Sequence, residues 1–177
     1  MNYNQIDGIV IKDAEVGELA DLVEVYKNVF QKHNIFQRSE EVILEYLKSV
    51  HSQNANFGGG FVVAIKDGKT VGGMLVKKET QDFSGGHVVW KYNHVGVHPD
   101  HQGKGLGREL MEAADEKVRN LIKQGKFKTA KIELGIAEGE KASIKFYEKF
   151  GFEIEGELKS HYRFGEKAYI LGKEILD

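Results

Sequence analysis

At 177 residues, 41% hydrophobic and 29% charged, the chain has the size and composition of one globular domain spanning residues 1–177, with room for a substantial core. Its formal net charge of −2 gives no general attraction to nucleic acid or to an anionic membrane, and without cysteine there is no disulfide, thiolate metal site or cysteine nucleophile. Met1 to Asp13 mix Asn, Asp and Lys with short apolar pieces, so no signal peptide or membrane span is visible and a cytoplasmic protein is the expectation.

In chain order, Gly8 to Lys12 reads as a short first strand. From Val16 to Gln31 the residues Leu19, Leu22, Val23, Tyr26 and Phe30 recur at helical spacing. Ser39 then precedes two glutamates and the apolar set Val42, Ile43, Tyr46, Leu47 and Val50, which predicts a second helix with Ser39 as its N-cap. Phe61 to Lys66 and Thr70 to Lys78 are strands joined by Asp67-Gly68, a strong hairpin signal. A third strand runs from His87 to Val97. A helix follows a glycine loop and ends near Gly125. Thr129 to Ala137 alternates as a strand, Lys141 to Phe150 is a helix stopped by Gly151, and Phe152–Leu158 and Ala168–Ile175 close the chain. The order β-αα-βββ-α-β-α-ββ predicts an α+β fold, a mixed and mostly antiparallel central sheet flanked by helices.

The chemistry gathers at residues 94–108. Pro99 stops the strand ending at Val97, glycines alternate at Gly103, Gly105 and Gly107, and Leu106, Leu110, Ala113 and Ala114 start a helix. Amide hydrogens at a helix start lack partners within the helix, the macrodipole adds partial positive charge, and glycine lets the backbone approach an oxyanion. Lys104 and Arg108 add full positive charges. The stretch is therefore a phosphate site. A P-loop would need Ser or Thr after Gly103-Lys104 to ligate magnesium, and Gly105 stands there; a dinucleotide fingerprint would need glycine where Arg108 stands. What remains is Gln102-x-x-Gly105-x-Gly107 behind Val97-x-Pro99. This resembles the pyrophosphate loop of the GNAT N-acetyltransferases, which bind acetyl-CoA.

A second segment carries the resemblance further. Glu140, Ser143, Ile144, Phe146, Tyr147, Gly151 and Phe152 are similar to the family pattern Asn-x-x-Ala-Ile-x-Phe/Leu-Tyr-x-x-x-Gly-Phe, with Glu140 in place of Asn and Ser143 in place of Ala. The order of elements also matches, over nearly the whole chain. The resemblance implies acetyl-CoA as co-substrate, its pyrophosphate on the amides of Gly103, Lys104, Gly105, Leu106, Gly107 and Arg108 beside Gln102. It places the pantetheine arm along Val95, Gly96 and Val97, with Ser143 and Tyr147 completing the cofactor-binding set. It makes Tyr147 the acid that protonates the departing thiolate, a role suited to a phenol with a reference pKa of about 10. An ionised Glu140 cannot donate the hydrogen bond the usual Asn gives.

The base that frees the amine is sought on the strand leading to Val97. Strict alternation puts Lys91 and Asn93 on one face and Tyr92 and His94 on the other, unless a β-bulge intervenes. His94, with a reference pKa near 6.5, is the candidate. Seven histidines without paired spacing propose no metal. The expected reaction is direct acetyl transfer to a primary amine of a small molecule or peptide. Two alternatives stay open, an acetyltransferase of protein N-termini or lysines and a non-catalytic acyl-CoA-binding module. No nucleic-acid or membrane partner is expected, and the resemblance implies a homodimer through exposed C-terminal strands.

Overall fold

The computed structural model describes residues 1–176. Its strands are β1 (Asn2–Ile6), β2 (Ile9–Asp13), β3 (Gly60–Lys66), β4 (Lys69–Gln81), β5 (His87–Val97), β6 (Thr129–Ala137), β7 (Glu153–Lys159) and β8 (Lys167–Ile175). The helices are α1 (Leu19–Val29), α2 (Glu40–Ala55), α3 (Leu106–Lys123) and α4 (Ile144–Glu148). The hydrogen-bonded strand order is β1-β2-β3-β4-β5-β6-β8-β7, with β5 parallel to β6 and antiparallel pairing at β1/β2, β2/β3, β3/β4, β6/β8 and β7/β8. This is the mixed α+β fold expected. By contacts the chain groups into two compact units, Met1–Lys78 with Tyr92–Asn120, and Glu79–Lys91 with Leu121 onward.

In the first unit, α1 and α2 bury Leu19, Leu22, Val23, Tyr26, Ile43 and Leu47 in one core with Phe61, Val63 and Leu75 from β3 and β4. Burying such side chains contributes about 1.5–3 kcal/mol each, which outweighs the weak intrinsic helix preference of the β-branched residues in both helices. Two buried polar residues of α2 fix its register on the strands. His51 Nδ1 accepts the Phe61 N–H at 3.1 Å, and Asn54 accepts the Lys78 N–H at 2.8 Å while donating to the Val50 carbonyl. Burial lowers the His51 pKa, so the ring stays neutral and keeps the lone pair that this bond needs.

The sequence reading missed β1. Its polar run Asn2–Ile6 has little alternation, and it forms because Asp7 (φ 48°) and Gly8 (φ 75°) make a left-handed two-residue turn that folds it back on β2. Asp67 (φ 50°) and Gly68 (φ 77°) make the same turn between β3 and β4, as the dipeptide predicted. Other boundaries also moved. The first helical segment splits into a 3₁₀ turn at Val16–Glu18 and α1, and β4 runs on to Gln81. The expected helix over Lys141–Phe150 is a 3₁₀ segment at Glu138–Ser143 followed by the short α4. Ser39 occupies the N-cap position of α2, but its hydroxyl makes no capping bond to the helix amides.

Both outer strands of the sheet are irregular. β1 shifts register between Asn2 and Asn4, and β7 between Ile154 and Gly156. β7 is exposed along almost its whole length and carries Glu153, Glu155, Glu157 and Lys159. No helix among the described residues is long and apolar enough to cross a membrane.

Asp13 ties β2 to α3. Its carboxylate accepts from Lys117 Nζ at 2.5 Å, Tyr3 Oη at 2.8 Å and the N-terminal ammonium at 3.1 Å. Burial alone would push the Asp13 pKa up, but the Lys117 ammonium and the other donors hold it below its ordinary value. A depressed carboxylate contributes stability that is present above its unfolded pKa, near 4, and is lost as pH falls through the folded value. Asp13→Asn leaves Lys117 buried without its counter-charge, so the expected cost is about 3 kcal/mol. Denaturant unfolding across a pH series reads both effects: the variant should lose stability at pH 7, and its difference from the parent should narrow as pH falls below about 4 toward the lowered folded value.

Candidate functional site

The turn from β5 to α3 begins with a 3₁₀ turn at Pro99–His101. His98 caps it, its Nδ1 accepting the Asp100 N–H at 3.3 Å. Gln102 then bends back and donates from Nε2 to the Val97 carbonyl at 2.9 Å. That bond fixes the end of β5 against the start of the loop, which brings two of the expected site residues together. Gly103 and Gly105 adopt φ of 74° and 82°, a region that strains any side-chain-bearing residue. Among the described residues beyond its chain neighbours, a Cβ at either position would meet no atom within 4 Å, so the space over this backbone is an open cradle. The amides of Arg108 and Glu109 turn inward to the Gly105 carbonyl at 2.9 and 3.1 Å. Among the described residues, the amides of Gly103, Lys104, Gly105, Leu106 and Gly107 make no backbone bond of their own.

These donors precede an α-helix of 18 residues, whose dipole adds to them. The donor set and the open space suit a pyrophosphate. The flanking cations contribute less directly than the sequence suggested. Lys104 Nζ donates to the Asp100 carbonyl at 3.1 Å, and Arg108 pairs with Glu112 at 2.7 Å on the exposed side of α3. Among the described residues no group of three or more His, Cys, Asp or Glu could hold a metal ion.

His94, in the same unit, departs from strand geometry. Its φ is 56°, so β5 kinks there and the alternation of Tyr92 with His94 fails. Tyr92 donates its hydroxyl to Asp115 of α3 at 2.9 Å, whereas His94 packs among residues of α1, α2 and the connection between them. The expectation that the two share a face is thus overturned by one left-handed residue. The His94 ring lies 5.0 Å from Phe36, 5.4 Å from His33, and 6.0 Å from both Tyr26 and Phe30. Its Nε2 is 2.8 Å from the Tyr46 hydroxyl. Burial, and then the neighbouring His33, pushes the His94 pKa down to about 3, so the imidazole is neutral at physiological pH.

Gly96 lets this cluster reach the strand. A Cβ there would stand 3.1 Å from the Tyr26 ring and 3.2 Å from the Phe30 ring. Val95 is half-buried, and Val97 is buried. Tyr46 was legible in the sequence only as an apolar-face position of α2; nothing in that pattern announces its hydroxyl as the partner of His94.

In the second unit, Tyr147 stands on α4, its ring 5.1 Å from Phe146 and 6.1 Å from Phe152. Burial, with the Glu140 carboxylate adding to it, pushes its pKa up to about 12. The phenol is therefore protonated at neutral pH and able to donate. Ser143 turns its hydroxyl onto the Glu140 carbonyl at 2.8 Å and so closes the 3₁₀ segment ahead of α4. The loop between β7 and β8 is pinned to the same unit. Lys167 N–H donates to Glu138, Arg163 pairs with Glu166 at 2.8 Å, and the Tyr162 hydroxyl occupies the space a Cβ at Gly135 would need. Lys91 pairs with Glu79 at 3.0 Å.

Comparison with known proteins agrees with this architecture. Residues 57–154 match the family described as "Acetyltransferase (GNAT) domain". The chain is 25% identical over 162 residues to an uncharacterized N-acetyltransferase of Methanocaldococcus jannaschii, covering 91% of this chain and 68% of the relative. It is 29% identical to the L-methionine sulfoximine/L-methionine sulfone acetyltransferase of Pseudomonas aeruginosa, over 84% of this chain and 82% of that protein. Among solved structures, an acetyltransferase from Salmonella typhimurium with its cofactor acetyl-CoA superposes with a TM-score of 0.72 at 19% identity, covering 97% of this chain and 95% of the other. A family match over more than half the chain, on a fold shared with solved members, places this chain among the GNAT acetyltransferases.

Proposed function

We propose that the chain, acting over residues 1–177 as one domain, transfers an acetyl group from acetyl-CoA to a primary amine of a small molecule or peptide by direct attack. The observation that carries this reading is the cradle at Gly103–Gly107, whose amides make no backbone bond among the described residues and which has open space at Gly103 and Gly105. The Salmonella structure was solved with acetyl-CoA, and the Pseudomonas relative is an L-methionine sulfoximine/L-methionine sulfone acetyltransferase; both support the assignment.

Acetyl-CoA supplies a thioester whose carbonyl carbon accepts an amine and whose thiolate leaves. The amides of Gly103 to Gly107 hold its pyrophosphate, and the Gln102 bond to Val97 keeps that cradle in register with β5. Val95, Gly96 and Val97 line the acyl-bearing arm, and an amide near Val97 serves as the donor to the carbonyl oxygen. Tyr147 donates its phenolic proton to the departing sulfur and regains one from solvent. His94 receives the proton that the amine loses. With no cysteine in the chain, no thiol is available to carry the acetyl group.

Calorimetric titration with acetyl-CoA tests the first half of this reading, and amine-dependent release of free thiol across a panel of primary amines tests the second. Saturable binding with amine-dependent release is the expected result. Failure to bind acetyl-CoA would remove the assignment and leave the fold standing.

A further inference from the structure

We propose that Tyr46 and His94 form a proton exit for the acceptor amine, with the imidazole taking a proton at Nδ1 while it hands another from Nε2 to the Tyr46 hydroxyl. The inference deepens the acetyl-transfer reading and rests on it.

The geometry comes first. A non-glycine residue in the left-handed region within a strand is strained, and such strain persists only where the surroundings over-determine it. At His94 (φ 56°) the strain swings the ring out of the alternation of β5 and places Nε2 at 2.8 Å from Tyr46 Oη. Nδ1 makes no hydrogen bond to any described residue. One nitrogen is thus committed to a hydroxyl, and the other remains for an incoming group.

The surroundings then select how a proton can pass. The rings around His94 belong to Tyr26, Phe30, His33, Phe36 and Tyr46, so its facing titratable groups are two phenols and one further imidazole. A cationic imidazolium is costly there, in keeping with the strongly lowered His94 pKa. Tyr46 is shifted upward by burial, so its hydroxyl is neutral too. A base that must store a positive charge is therefore a poor fit. Exchange of tautomers creates no charge: one proton enters at Nδ1 as another leaves from Nε2. The Tyr26 hydroxyl, buried in the same cluster and in electrostatic contact with Tyr46, has no hydrogen-bond partner among the described residues. Most buried polar groups are satisfied by the fold, so the cluster holds more hydrogen-bonding capacity than folding uses.

The step balances. As the amine nitrogen bonds to the acetyl carbon and the carbon–sulfur bond breaks, the nitrogen gives one proton to His94 Nδ1. The Nε2 proton moves to Tyr46 Oη, whose own proton passes to solvent, and Tyr147 protonates the sulfur. The His94–Tyr46 pair is left neutral, and Tyr147, a phenolate once it has given its proton to the sulfur, regains one from solvent, which balances the proton released at Tyr46. Reversal of the tautomer through the same hydroxyl resets the pair. Tyr46 acts through His94 and is a positioning residue.

Tyr46→Phe removes a single oxygen and tests this. Transfer to the acceptor amine should fall in kcat by about 10- to 100-fold, with the KM for acetyl-CoA within about two-fold of the parent and the thermal midpoint nearly unchanged. A second readout is independent of turnover. In ¹⁵N-labelled parent protein at pH 7, His94 should be neutral and protonated at Nε2, and in Tyr46→Phe it should become a mixture of tautomers. Unchanged kcat in the variant, an imidazolium at pH 7, or a tautomer indifferent to Tyr46 would each overturn the exit alone. A parent protein that transfers acetyl to no amine would overturn the functional reading and this inference with it.

Discussion

Gly105→Glu is expected to abolish saturable binding of acetyl-CoA, lowering affinity by at least about 100-fold. Two costs add. At φ 82° a side chain is strained, by about 1–2 kcal/mol for a left-handed L-residue. The new carboxylate also enters the open space over the amides, where a pyrophosphate would lie, and repels it at short range. Because no described residue beyond its two chain neighbours lies within 4 Å of a Cβ there, the substitution need not disturb packing. Circular dichroism should stay close to the parent and the thermal midpoint should fall only by the several degrees this strain implies, while calorimetry records no binding. Gly105→Ala separates the terms: it keeps the strain, adds no charge, and should weaken binding by about 10-fold. Tight binding by the glutamate variant would take the pyrophosphate away from this loop.

Tyr147→Phe is expected to lower kcat by about 10²- to 10⁴-fold while the affinity for acetyl-CoA stays within a few-fold, since removing a general acid costs that much when nothing replaces it. Stopped-flow release of thiol and calorimetry on the same sample separate the two quantities. The pH profile carries a further sign. The Tyr147 pKa is raised to about 12, so the acid stays protonated well above neutrality. Activity of the parent should therefore show no loss from this residue between about pH 7 and 10, where a phenol with a reference pKa near 10 would begin to ionise. Equal turnover in the phenylalanine variant would remove Tyr147 as the acid and favour a module that binds acyl-CoA without using it.

Much of this was legible in the sequence because local rules and the fold agree. Thr129–Ala137 and His87–Val97 were bounded correctly, since a buried strand flanked by glycine or proline has few competing forms. The cradle was legible for the same reason, as alternating glycines before an amphipathic helix restrict the backbone strongly. Three features were not. β1 is held by a turn and by pairing with β2 more than by its own pattern. The short α4 depends on how the 3₁₀ segment before it closes through Ser143, a tertiary detail. The partner of His94 could not be read either. Alternation assigns that residue to the side of Tyr92, and only the left-handed backbone at one position sends it to Tyr46, 48 residues earlier.

The irregular outer strands bear on how this protein behaves when concentrated. An edge strand offers a row of unpaired amides and carbonyls to any other extended chain, and is a common start for aggregation. Here β1 and β7 each break register once, and β7 interposes three glutamates and a lysine along its length. A second chain laid alongside either strand would lose its ladder after a few residues and bring charges together. Growth by adding strands is thus discouraged at both ends of the sheet, which leaves faces and loops for any assembly of copies. A terminal fusion or tag of extended conformation should hang free of the sheet instead of continuing it.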